Sequence, residues 1–349
     1  MGNTLGEKFK LTVAGESHGP AIIAIVDGCP SNLDIKLEDI QKELDRRKPG
    51  QSRITTERRE EDKVKILSGI FEGKTLGTSI TLIVYNKAID SNKYIPIKDK
   101  FRPGHADYTY FTKYGIRDWR GGGFASGRVT VAMVAGGAIA KRVLQDYGIK
   151  IIGYVKEIGN IKAENIDYNE IEKNSVRCPD KNKAREMEEK ILAVKAEGDS
   201  IGGLVEVVAK GVPAGLGEPR FEGLKGQLSN AFYSMGAVTC VEFGAGHKAK
   251  NMLGSEFNDQ MYSENGRIRH YTNNAGGILG GISNGEDIIT RVTIKPTPSI
   301  AKQQKTVDIY GNNVKIKIQG KHDPCICPRA VPVIESVTAI VLTDFLLQK

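Results

Sequence analysis

The chain carries five histidines, His18, His105, His247, His270 and His322. Histidine is the side chain that most readily gives or takes a proton near neutral pH. Two of the five stand in glycine-bounded turns. Gly15-Glu16-Ser17-His18-Gly19 follows a strand-like run, and Arg102-Pro103-Gly104-His105-Ala106-Asp107 holds the second. Loops held by a rigid strand are where catalytic groups usually sit. Residue type alone supports a turn-capping role equally well. A third group, Lys321-His322-Asp323-Pro324, puts a cation, an imidazole and a carboxylate together. Such a neighbour can tune or relay a proton, or cap a helix. Arginines crowd two stretches. Arg46, Arg47, Lys48, Arg53, Arg58 and Arg59 form the first, and Arg102, Arg117, Arg120 and Arg128 the second. Mixed with Gly, Pro and Ser, they suit forked recognition of carboxylate or phosphate. Gly121–Gly123 and the run from Asn274 to Gly281 could cradle an anion on free backbone N–H groups, or serve as crowded turns.

Several better-known chemistries fail on context. Gly15, Ser17 and Gly19 satisfy G-x-S-x-G, but a nucleophile elbow needs a helix next, and Pro20 and an apolar strand follow instead. Gly244-Ala245-Gly246-His247-Lys248-Ala249 fits G-x-G-x-x-A, yet the segment after it is polar and glycine-broken rather than helical. No P-loop pattern occurs. The five cysteines, Cys29, Cys178, Cys240, Cys325 and Cys327, are odd in number and irregularly spaced, which argues against a disulfide framework. Cys325 and Cys327 make a lone C-x-C, short of the ligand count of a closed zinc site, so no metal is expected.

The elements that must hold these groups follow from pattern. Lys8–Ala14 and Ala21–Asp27 read as strands. Leu37, Ile40 and Leu44 predict a helix over residues 36–47, stopped by Lys48-Pro49-Gly50. Val64–Phe71 and Ser79–Val84 read as two strands joined around Gly73 and Gly77. The small residues of 126–146 predict a buried, closely packed helix. Residues 180–196 form a charged helix with Asp180 as cap, and 331–347 a strongly apolar one. A strand, a Gly-x-Pro turn and a helix occur at Ile25–Leu44 and again at Val207–Tyr233, as a duplicated α+β unit would produce. No linker or composition shift divides the chain, so one domain over 1–349 is expected. Residues 249–273 are polar and read as a surface excursion.

Composition narrows the partners. The 349 residues are 40% hydrophobic and 26% charged, which suits a globular protein with a sizeable core. The net charge of +8 steers anions of any kind. No nucleic-acid module and no aromatic-interleaved basic stretch is present, so a small anionic metabolite is preferred over nucleic acid. No apolar run nears ~18 residues, and the first ten residues lack the apolar core of a signal peptide, so a cytoplasmic protein without a membrane span is expected.

Seven motifs occur in a fixed order: GESHG (15–19), DRRKPGQSR (45–53), FRPGHADYTY (101–110), KYGIRDWRGGG (113–123), NNAGGILGGIS (273–283), KPTPSI (295–300) and KHDPC (321–325). Together they resemble the chorismate synthase family, over essentially the whole chain. The resemblance implies an α+β fold, a β-α-β sandwich with a central helical layer between two antiparallel sheets, assembled as a homotetramer. It implies 1,4-elimination of phosphate and a ring hydrogen from 5-enolpyruvylshikimate 3-phosphate, with reduced flavin mononucleotide (FMN) required and no net redox change. His18, with Ser17 beside it, resembles the histidine that protonates the departing phosphate. His105 resembles the histidine that protonates reduced flavin, and Asp323 the aspartate implicated in removing the ring hydrogen. Arg47, Arg53 and Arg128 match substrate-holding arginines. Phe124, Ala125, Ser126, Gly236, Ala237, Gly280, Lys295, Pro296, Thr297, Pro298, Ser299 and Lys321 match flavin-contacting positions. Lys321 stands where arginine is frequent, which keeps the charge and loses the planar fork. Where the family usually reads RGGGRSSAR, this chain has Phe124 and Ala125 in place of an arginine and a serine. Loss of one charge-assisted contact implies weaker flavin binding, by about 1.5–3 kcal/mol, unless Phe124 packs on the ring system. The resemblance leaves open whether NADPH reduces the flavin on this chain or a separate reductase does so.

Overall fold

The computed structural model describes residues 2–56, 58, 60–318 and 322–348. Two five-stranded antiparallel sheets carry most of the strand structure. The first holds β1 (Thr4–Leu5), β2 (Lys10–Ala14), β3 (Ala21–Asp27), β4 (Val64–Ile66) and β5 (Ile80–Tyr85), in the order β1-β2-β3-β5-β4. The second holds β6 (Lys150–Ile158), β7 (Ile161–Lys162), β8 (Gly203–Lys210), β9 (Val238–Phe243) and β10 (Ile288–Ile294), in the order β9-β10-β8-β6-β7. Period-two alternation sets the faces: Ile22, Ala24 and Val26 of β3 are buried, while Ile25 stays partly exposed. Mixed helices and antiparallel sheets place the chain in the expected α+β class.

The principal helices are α1 (Leu37–Arg47), α2 (Asp107–Tyr114), α3 (Thr130–Asp146), α4 (Lys181–Ala196), α5 (Leu224–Tyr233) and α6 (Cys327–Leu346). α3 packs on β3 and β5 of the first sheet, α6 on β6 and β8 of the second, and the two helices pack on each other. Their small residues permit this. A methyl placed on Gly137 would lie 2.2 Å from Ser336 Cβ, so α3 and α6 cross with almost no side chain between them. One apolar core runs from Phe9 to Leu346.

The boundaries show where local pattern meets tertiary context. α1 and α4 fall where periodicity puts them, and Asp180 Oδ1 accepts from the N–H groups of Asn182 and Lys183 as a cap. The 126–146 segment breaks into a 3-10 turn over Gly127–Val129 and then α3. The strand expected over Val64–Phe71 ends at Ile66, and a short hairpin pairs Ile70–Phe71 with Lys74–Thr75. The 249–273 excursion carries a short helix and a hairpin, Met261–Glu264 with Arg267–His270. α6 begins at Cys327, earlier than its apolar run suggests. Pro328 lies in its first turn, where no N–H is needed. Pro332 cannot donate to the Pro328 carbonyl, and Arg177 Nη1 does so instead at 2.6 Å. No helix among the described residues is long and apolar enough to cross a membrane.

Candidate active site

Several chain segments between these elements converge. After β2 the chain turns through Ser17 and His18, both buried. The Ser17 N–H donates to Gly123 O at 3.2 Å, and Ser17 Oγ accepts from the Gly122 N–H at 3.3 Å. His18 Nδ1 lies 2.9 Å from Ser91 Oγ. Its other edge faces Gly121: a methyl there would sit 2.6 Å from His18 Cδ2 and 2.8 Å from Nε2, and Gly121 adopts φ +64°. Burial, and then the nearby Arg58 charge, lower the His18 pKa from its ordinary value.

His105 approaches the neighbouring glycine. Its Nδ1 lies 3.0 Å from Asp107 Oδ1. Asp107 also accepts from Arg102 Nε at 2.7 Å and Nη2 at 2.7 Å, and Arg102 Nη2 donates to Gly121 O at 2.8 Å. A methyl on Gly122 would lie 3.1 Å from His105 Nε2. Consecutive Cα atoms are about 3.8 Å apart, so the two imidazoles lie within about 12 Å of each other across one glycine pair. Burial lowers the His105 pKa despite the Asp107 contact. Burial alone would raise Asp107, but its bonds from Arg102 and His105 hold it well below the usual carboxylate range. Their surroundings thus disfavour the charged form of both imidazoles, and an anion seated between them would favour protonation.

The cationic part lies beside them. Arg47 and Arg128 are both buried and both pair with Asp62, Arg47 at 3.1 Å. Arg47 also donates to Thr130 Oγ1 at 3.1 Å. Its carbonyl accepts from Arg329 Nε at 3.1 Å, and Arg329 pairs with Asp323. Asp323 Oδ1 accepts from the Thr56 N–H at 2.9 Å. Three arginines thus meet two carboxylates. Burial and the Arg329 charge press Arg47 below its ordinary pKa, as expected where cations are crowded. Arg128 Nε donates to Asn86 Oδ1 at 2.7 Å, and Asn86 Nδ2 donates to the carbonyls of Glu16 and Gly19. One side chain therefore ties the arginines to the His18 turn.

Lys295, Pro296, Thr297 and Pro298 line a cleft of about 310 Å³ with Pro103, Gly104 and others. Lys295 Nζ donates to Gly104 O at 2.7 Å, directly before His105. Ser299 is buried. Thr297 Oγ1 and His322 Nε2 are buried with no hydrogen-bond partner among the described residues. An enclosed polar atom without a partner costs about 1–3 kcal/mol, so at Thr297 the cleft suits a ligand with a hydrogen-bonding edge. Burial, and then the Arg102 charge, push His322 down to about 4.

The expected site residues divide. Ser17, His18, His105, Arg47, Arg128 and Asp323 come together as described. Ala237 O accepts from the Lys295 N–H at 2.9 Å, so Gly236 and Ala237 adjoin the cleft. Gly280 lies in the turn of a separate hairpin that pairs Ile278–Leu279 with Ile282–Ser283, and it is not among the residues lining the cleft. Arg53 is exposed, with its Nε 3.0 Å from Glu188 Oε1. Ser126 Oγ accepts from the Arg128 N–H at 3.2 Å, Ala125 is half-buried, and Phe124 packs against the apolar core. Lys321 lies outside the described residues. Asp62, Asn86, Ser91 and Arg329 were missed. No motif marks them, whereas the Arg102-x-x-His105-x-Asp107 spacing could have revealed the Asp107 pair.

A family model described as chorismate synthase matches residues 9–347. The chorismate synthase of Methanosarcina mazei is 53% identical, the alignment covering 99% of this chain and 96% of that protein. That of Methanocaldococcus jannaschii is 54% identical, over 99% of this chain and 96% of its own. A crystal structure of a chorismate synthase superposes with a TM-score of 0.79 at 32% identity, covering 98% of this chain and 93% of that one. Sequence and structure agree over nearly the full length, and the chain belongs to the chorismate synthase family.

Proposed function

We propose that this chain eliminates phosphate from 5-enolpyruvylshikimate 3-phosphate to give chorismate, the shikimate-pathway step towards aromatic amino acids, with reduced FMN bound and no net redox change. The activity is that of a carbon–oxygen lyase acting on a phosphate. The observation that carries the reading is the meeting of His18 and His105 on one glycine pair, beside Arg47, Arg128 and Arg329, which among the described residues pair with the two carboxylates Asp62 and Asp323. The substrate, with two carboxylates and a phosphate, supplies the missing negative charge.

The roles follow from placement. Arg47 and Arg128 hold the substrate anions, and Arg53 joins them on leaving Glu188. His18 Nε2, made more basic by the arriving phosphate, gives its proton to the phosphate oxygen as the C–O bond breaks. Ser17 Oγ stands beside it. Asp323, oriented by Arg329 and the Thr56 N–H, is the group assigned to the ring hydrogen. Lys295–Ser299, Gly236, Ala237, Gly280, Lys321 and the Phe124–Ser126 turn would hold the flavin, with His105 Nε2 keeping a proton at its edge. Reduced flavin, when bound, supplies electron density that eases loss of the phosphate and is returned unchanged. Phe124 is half-buried and packs in part against the core, so the loss of the arginine contact usual at that position is expected to weaken flavin binding unless its remaining face stacks on the ring.

The same reading carries the finer architecture. Packing of α3 on one sheet and α6 on the other supports a three-layer sandwich, with two five-stranded halves as a duplication would leave, and the continuous core supports one domain. Homotetramer assembly belongs to it too, supported by exposed apolar residues such as Ile25 and Tyr85 on the first sheet. NADPH as flavin reductant and a cytoplasmic location are parts of the same proposal.

The test is anaerobic chorismate formation from 5-enolpyruvylshikimate 3-phosphate with chemically reduced FMN, followed by ultraviolet absorbance. Turnover is expected. Folded protein that makes no chorismate at saturating flavin and substrate would overturn the reading. Within that assay Gly121→Ala is expected to lower kcat by about a hundredfold, because its methyl would displace the His18 ring from a left-handed backbone position. Activity within threefold of wild type would show that the ring does not depend on that contact.

A further inference from the structure

A short 3-10 segment, Ser91–Ile97, crosses over His18. Its first residue reaches the imidazole: Ser91 Oγ is 2.9 Å from His18 Nδ1. One turn on, the Tyr94 ring meets His18 edge to face, with centroids 5.2 Å apart and planes at 86°. The other side of Tyr94 receives Arg102, whose guanidinium carbon lies 5.9 Å from the ring centroid. Arg102 Nη2 in turn lies 3.3 Å from His105 Nδ1. Ser91 and Tyr94 therefore touch one histidine directly and the support of the other. The Ser91 hydroxyl has no other partner among the described residues, and no side chain caps the start of the segment. A hydroxyl kept for the turn itself would be bonded to backbone.

We propose that Ser91 is the positioning residue of His18, its Oγ accepting from Nδ1–H so that Nε2 is the nitrogen that carries the transferable proton. The two ring nitrogens are then unequal by construction. Nδ1 is committed to Ser91, Tyr94 holds the ring plane, and Nε2 faces the Gly121–Ser17 side, where the phosphate of the proposed substrate would be met. A hydrogen bond that fixes one nitrogen sets the tautomer at the other. An acceptor at Nδ1–H also stabilises the imidazolium, and Arg58, Asp118, Arg120 and Asp90 all act on that charge. The inference rests on the reading of His18 as the proton donor to phosphate.

The experiment compares the full chain with Ser91→Ala and Ser91→Thr. It reads kcat, KM and the pH profile of kcat/KM, and the ¹⁵N resonances of labelled histidine, assigned with His18→Asn. Ser91→Ala is expected to lower kcat about tenfold or more, with KM changed less than about threefold, since orientation rather than binding is lost. Its pH profile moves to lower pH, and the His18 ¹⁵N shifts change from one tautomer to a mixture. Ser91→Thr keeps the hydroxyl and recovers kcat to within about threefold. The idea is overturned if Ser91→Ala turns over within twofold of wild type, or if kcat falls while the His18 tautomer and ionisation stay as they were. If the wild type makes no chorismate, the functional reading fails instead, and the ¹⁵N comparison still decides whether Ser91 fixes the His18 tautomer.

Discussion

His18→Asn is expected to lower kcat by about three orders of magnitude while the protein folds and binds substrate as before. Asparagine suits the question because its short amide keeps a polar atom near the Nδ1 position, within reach of Ser91, and deletes Nε2 altogether. Any loss then reports the reacting nitrogen rather than the turn. Steady-state kinetics with reduced FMN give kcat, and thermal unfolding checks the fold. A kcat within tenfold of wild type would remove His18 from proton transfer. The pH dependence has a definite sign. Burial and Arg58 lower the His18 pKa in the free protein, which disfavours the imidazolium there. The bound phosphate raises that value, and an acid must be protonated to act, so kcat falls as pH rises through the ionisation of the complex. His18→Asn loses that limb. His105→Asn is expected to lose a comparable amount of kcat, because it removes the other imbedded proton carrier on the same glycine pair.

Asp62→Ala has the second large effect, on stability. The Asp62 side chain is wholly enclosed, and it is the shared partner of Arg47 and Arg128. Removing one member of a buried ionic group leaves uncompensated charge and costs about 3–5 kcal/mol. Denaturant unfolding measures the loss, and a change under about 1 kcal/mol would show that water or other groups already balance the arginines. Burial alone would raise the Asp62 pKa, but Arg47 and Arg128 more than offset it, and the net shift is downward. A carboxyl lowered in the folded state contributes stability that is present above the unfolded value of about 3.9 and lost as pH falls through the folded value. Wild type therefore carries an acid-labile increment that Asp62→Ala lacks. Inorganic phosphate should stabilise the variant more than wild type, since it can take the place of the missing charge.

Much of this was legible before any coordinates. Leu37, Ile40 and Leu44 mark α1, and Ile40 and Leu44 are indeed fully buried. The two histidine turns could be picked out as candidates because their signals are local, with glycines bounding a histidine over five or six residues. The Asp62 link was not legible for the opposite reason. It joins Arg47 and Arg128, residues 15 and 66 positions away, through packing of α1 against the start of α3. Ser91 is silent in sequence for the same reason, lying 73 residues from the ring it touches. Phe124 shows a further limit. Comparison of residue types registers a lost arginine, but only the fold reveals that the replacement joins the core. The early start of α6 escaped because proline is read as a helix breaker, and the compensating donor, Arg177, comes from a distant segment.

That borrowed donor has a mechanical consequence. Arg177 closes the backbone gap left by Pro332, pairs with Glu172, and reaches Gln51 Oε1 at 3.2 Å, just past the end of α1. The first turn of α6, which carries Arg329, is tied by these bonds to the 172–177 segment and to the tail of α1, so the three are expected to open together. The Arg329 that orients Asp323 is thus mounted on one cooperative opening unit with the backbone that presents Arg47. Fluctuations that would part Asp323 from the end of α1 are therefore expected to be suppressed jointly, even at a helix end.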